Sequence, residues 1–75
     1  MEEKFLQSLK ETLEIKDRDL KLTDNFREYD EWDSLNLLSV IAMIDEQYDI
    51  VIDGNDFKKL NTVKDLIDEI RKRSA

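Results

Sequence analysis

The residues able to do chemistry in this chain are few. The most pointed of them stand together as Asp33-Ser34-Leu35, a carboxylate and a hydroxyl just before an apolar run. A serine hydroxyl can act as a nucleophile, but only when a neighbouring base takes its proton. The sequence holds no His and no Cys, so the commonest base, the commonest metal ligand and any thiolate are missing. A lysine or carboxylate base would need a pocket that a fold this small hardly provides, which makes a serine hydrolase a poor reading. Read alone, Asp-Ser before an apolar run is an ordinary helix start.

A second cluster, Asp49-Ile-Val-Ile-Asp53-Gly54, resembles the start of an EF-hand calcium loop. The match fails at the third position, where Val51 replaces an oxygen ligand, and at the twelfth, where Leu60 replaces the bidentate Glu. No metal site is expected.

The elements that must position Ser34 can be read from periodicity. Phe5, Leu6, Leu9 and Leu13 recur at helical spacing and predict a first helix over roughly 2–15. Residues 16–33 form a long polar connection anchored by Leu20, Leu22, Phe26, Tyr29 and Trp32, with a helical turn near Phe26–Asp30. The second helix spans Ser34 to Tyr48, with Asp33 or Ser34 as its cap. Its core stripe is Leu37, Val40, Ile41, Ile44 and Tyr48. Leu35, Leu38 and Ala42 fall on another face at helical spacing. A helix apolar on two faces is buried all round or meets a partner, so the second stripe is a candidate docking surface. Ile50-Val-Ile52 reads as an apolar loop folding into the core, followed by a helical turn over 55–60. Thr62 caps a last helix over 62–73, with Val63, Leu66, Ile67 and Ile70 as its core stripe and Arg71, Lys72 and Arg73 suiting its C-terminal dipole.

Composition bounds the function. A chain of 75 residues is one small domain, here 1–75, with a modest core. Charged residues make up 41% and the formal charge is −7, which disfavours nucleic acid and anionic membranes and favours basic protein partners. No secretory h-region and no run of membrane-spanning length is visible, so a cytoplasmic protein without a membrane span is expected.

With these residues in view, the chain resembles the acyl carrier protein family over nearly its whole length. The densest stretch is Glu31-Trp-Asp-Ser-Leu-Asn-Leu-Leu-Ser-Val-Ile-Ala-Met-Ile-Asp-Glu-Gln-Tyr48, with further matches at Phe26, Ile52 and Leu60-Asn-Thr-Val63. The resemblance implies an all-α fold: a small four-helix bundle of three main helices and a short third, with a long loop between the first two. It implies a free-standing carrier without catalysis of its own. In that family a separate phosphopantetheinyl transferase (holo-carrier synthase) esterifies the motif serine, here Ser34, with 4′-phosphopantetheine. Acyl or aminoacyl groups then ride on the arm as thioesters. Asp33 would help the transferase's metal or cap the helix. A helix N-terminus suits a phosphodiester, because its free N–H groups and dipole favour negative charge.

Partner contacts are expected at Leu35, Asn36, Leu38, Ser39, Ala42, Asp45 and Glu46. The partners would be acyl-transferring, ligase or synthase enzymes with basic docking surfaces, serving a monomer. The chain departs from the family pattern in two places. Glu31 and Trp32 stand where many members place Gly, and Trp32 is expected to seal the core under helix two. The first half of the second helix carries Asn36 and Ser39 where members are usually acidic. This fits a specialised carrier better than one for generic fatty-acid synthesis. The alternatives are an aminoacyl or peptidyl carrier of a peptide or glycan-modification pathway, and a helical adaptor in which Ser34 only caps.

Overall fold

The computed structural model describes residues 2–74. In chain order, α1 spans Glu2–Thr12, a 3-10 turn spans Phe26–Glu28, α2 spans Ser34–Tyr48, α3 spans Gly54–Phe57 and α4 spans Val63–Ser74. This is the expected all-α bundle, with three longer helices, a one-turn third helix and a long first loop.

The apolar stripes read from the sequence close on one another. Phe5 and Leu9 of α1, Val40 and Ile44 of α2, and Val63, Leu66, Ile67 and Ile70 of α4 are buried in one core with Phe26, Ile52 and Phe57. Met43 joins them from α2, a contact the stripe over Leu37, Val40, Ile41, Ile44 and Tyr48 did not include. Leu37, Ile41 and Tyr48 are half-buried at its margin, and Tyr48 packs against Phe5.

Helix α1 ends earlier than expected. Glu14 adopts a left-handed backbone with φ of 58°. The Ile15 amide then donates to the Lys10 carbonyl at 3.0 Å and the Glu14 amide to the Glu11 carbonyl at 3.1 Å. This closes the helix end in the manner usually left to glycine, and it turns Ile15 back into the core. At its other end α2 stops on a left-handed Asp49, whose amide donates to the Asp45 carbonyl.

The long loop is held by its anchors and by α4. The amides of Val63 and Lys64 donate to the carbonyls of Asp24 and Leu22, both at 3.0 Å. Asn25 and Thr62 form an isolated bridge beside them. Thr62 caps α4 as expected: its Oγ1 accepts from the Asp65 amide, while Asp65 Oδ2 accepts from the amides of Asn61 and Thr62. These two backbone bonds, with Asn61 and Thr62 as donors, hold the Asp65 carboxyl below the usual carboxylate range.

One reading of an apolar residue needs correction. Ile50 and Ile52 are buried, but Val51 between them points outward, as alternation along an extended segment requires. Trp32 is half-buried against the core and reaches the short third helix. Its ring stacks on Phe57 at 6.0 Å and 11°, and meets Phe26 edge-on at 4.7 Å.

Candidate functional site

Ser34 is the first residue of α2, and Asp33 is its cap. Asp33 Oδ1 accepts from the Asn36 amide at 2.7 Å, and the Asp33 carbonyl takes the Leu37 amide at 2.9 Å. Asp33, rather than Ser34, therefore satisfies the helix start. The Ser34 side chain is exposed, and among the described residues its hydroxyl has no hydrogen-bond partner.

The backbone around it is free in the same way. No hydrogen bond to a described residue engages the amides of Ser34 and Leu35. The start of α4 differs, since its first three amides, from Val63, Lys64 and Asp65, are all taken by the loop or by the Thr62 cap. Two outward N–H groups with the positive end of a 15-residue helix behind them make a fitting seat for a phosphodiester on the neighbouring oxygen.

The segment leading into Ser34 is braced on several sides. The Arg18 guanidinium pairs with Glu31 at 2.8 Å and lies over the Tyr29 ring at 5.3 Å. That bond, more than any other interaction, lowers the Glu31 carboxyl from its usual range. The Glu31 carbonyl accepts from the Asn36 side-chain amide. The Trp32 amide donates to the Tyr29 carbonyl at 3.0 Å. The hydroxyl is thus exposed while the backbone that carries it is fixed. Sequence reading passed over Arg18 and the bracing role of Asn36. Arg18 lies in a loop without periodicity, 13 residues from its partner, and offers no local signal.

The expected docking residues largely share one side of α2. Leu35 is 72% exposed and Leu38 63%, and Ala42, Asp45 and Glu46 are also exposed. Ser39 is half-buried, and its hydroxyl donates back to the Leu35 carbonyl. Asn36 is half-buried too and turned toward Glu31. Among the described residues no cluster of carboxylates could hold a metal, and Asp53, from the EF-hand-like stretch, instead caps α3 through the Asp56 amide.

The family model described as the phosphopantetheine attachment site matches residues 3–70. The chain belongs to this family. An acyl carrier protein of Buchnera aphidicola subsp. Schizaphis graminum is 32% identical over 74 residues, which cover 99% of this chain and 94% of that relative. An acyl carrier protein of Desulforapulum autotrophicum is 48% identical over 42 residues, 56% of this chain and about half (54%) of that relative's length. No solved structure matches. Membership makes the chain a carrier and not a catalyst, with covalent 4′-phosphopantetheine as its prosthetic group. It also disfavours the adaptor reading. Among the described residues no helix is long and apolar enough to cross a membrane.

Proposed function

We propose that Ser34 is the residue esterified with 4′-phosphopantetheine, and that residues 1–75 act as one carrier unit presenting acyl or aminoacyl thioesters to partner enzymes. The observation that carries this reading is the exposed Ser34 hydroxyl, without a partner, beside two unengaged amides at the start of α2. Asp33 holds that start by its own carboxylate. The serine oxygen is therefore free to attack the phosphopantetheinyl phosphorus of coenzyme A: the serine O–P bond forms as the pyrophosphate bond breaks, adenosine 3′,5′-bisphosphate leaves, and the serine proton passes to a base on the transferase. Once formed, the negative phosphate lies against the helix dipole.

Partner enzymes then read α2. Leu35 and Leu38 offer two exposed apolar side chains close to Ser34, and Asp45 and Glu46 offer charge farther along. A partner with an apolar recess near its thioester channel and basic residues beyond would match that order. The first half of α2 lacks acidic side chains, which supports a dedicated partner over a generic one.

The test is direct. The chain is co-expressed with a broad-specificity phosphopantetheinyl transferase and the intact protein is weighed. A gain of one phosphopantetheine that disappears in Ser34→Ala is the expected result. A folded wild-type protein that gains nothing defeats the proposal.

A further inference from the structure

An apolar cargo on a flexible arm gains free energy with every methylene it can hide from water. Whether this bundle can hide one depends on α3. A single turn, Gly54–Phe57, is the element most easily lifted from a core this small, yet here it is fastened at both ends.

At its entry, Arg73 of α4 donates to the Val51 carbonyl at 3.0 Å and pairs with Asp56 at 2.7 Å, while Glu69 steadies the same guanidinium at 2.6 Å. At its exit, Arg27 donates to the carbonyls of Phe57 and Leu60 at 2.8 and 2.9 Å. Charge-assisted bonds of this kind are the stronger class. Beneath α3 the space is filled by three rings in mutual contact: Phe26 and Phe57 at 5.6 Å, with Trp32 against both. Val40 and Ile52, of the same core, are fully buried. Two concavities on the surface run along α1 and the first loop, away from α3. Charged and polar side chains such as Arg18, Asp24, Lys10 and Asp19 line most of them.

We propose that this carrier keeps its cargo outside the bundle, with Arg27 and Arg73 strapping α3 over the Phe26–Trp32–Phe57 cluster, and that it is therefore built for short or polar acyl groups rather than long alkyl chains. Opening the bundle has a fixed cost, set by the two arginines and the stacked rings. The gain from burial scales with chain length. A cargo of few carbons does not recover that cost and stays in solvent. The proposal rests on Ser34 carrying the arm.

The test loads the wild-type chain with the acyl-phosphopantetheine of acetyl-coenzyme A or of octanoyl-coenzyme A, using a broad-specificity transferase. Intact mass, with Ser34→Ala as control, reports loading. Failure to load defeats the reading of Ser34, and this proposal falls with it. For loaded protein the readouts are the methyl resonances of Val40 and Ile52 and the emission of Trp32, the only tryptophan in the chain. The acetyl and octanoyl forms are expected to coincide in the wild type and to separate in Arg27→Gln. Octanoyl-dependent shifts in the wild type overturn the proposal. Coincident spectra in a folded Arg27→Gln overturn the role given to the strap. Where Arg27→Gln does not fold, Arg73→Gln, at the exposed end of α4, takes its place with the same outcomes.

Discussion

Asp33 accepts the amide proton of Asn36 at 2.7 Å, so the residue before Ser34 carries the capping duty and Ser34 carries none. In the proposed reading the two neighbours divide one helix start between structure and chemistry. Asp33→Ala is expected to lower stability by about 0.5–2 kcal/mol in a denaturant melt, as loss of a capping oxygen does. Asp33→Asn keeps an acceptor in place and should stay within a few tenths of a kcal/mol of the wild type. Ser34→Ala should leave the melt nearly unchanged while abolishing modification. A large loss of stability in Ser34→Ala would show that its hydroxyl has a structural partner after all.

The two faces of α2 give a paired prediction. Leu38 is 63% exposed and Ile44 is 0% exposed on the same helix. Leu38→Asp is expected to reduce turnover by a partner enzyme while the melting temperature holds. Ile44→Ala is expected to destabilise the domain by about 2–5 kcal/mol, the usual range for emptying a core site. A stable Ile44→Ala, or an unfolded Leu38→Asp, would mean that the faces are assigned wrongly.

Much of this was legible in the sequence because helical periodicity and burial are the same fact seen twice. Leu9, Ile44 and Ile67 fall on stripes, and all three are buried. Thr62 signalled a cap by its type and place, and its hydroxyl accepts from the Asp65 amide as a cap does. Ser34 was visible as the serine of a motif, but its freedom was not. That depends on which neighbour takes the capping bond, and Asp and Ser are both good caps. The bracing by Arg18, the fastening of α3 by Arg27 and Arg73, and the seat of Trp32 were hidden for another reason. Each joins residues far apart in the chain through loops, where no period marks which side chains meet. Arg73, for example, was read as serving a helix dipole, and it is bound to Glu69, Asp56 and Val51.

The end of α1 predicts a gain rather than a loss. Glu14 holds φ of 58°, and its exposed side chain makes no hydrogen bond to a described residue. A side chain in that region costs about 1–2 kcal/mol that glycine avoids, less the entropy glycine loses on folding. Glu14→Gly should therefore raise stability by up to about 1 kcal/mol, read as a rise in melting temperature. Glu14→Val should lower it, since a β-branched residue is least tolerant there. A fall in Glu14→Gly would mean that the helix does not end on a left-handed residue.

The carboxyl of Asp65 ties pH to the start of α4. Its two backbone donors, the Thr62 and Asn61 amides, bond the ionised form and lower its pKa in the folded chain. A depressed pKa means that the unfolded chain binds the proton more tightly. The stabilisation is then complete above the unfolded value, about 3.9 for an ordinary aspartate, and is lost as pH falls through the lower, folded value. Asp65→Asn cannot ionise, so it lacks this contribution at every pH. Wild type is expected to exceed Asp65→Asn in stability at neutral pH, with the gap closing only under acid conditions below the usual carboxylate range. Paired denaturant melts across that range measure it. A gap that stays constant into acid would mean that the charge of Asp65 contributes nothing at this cap and that its geometry alone matters.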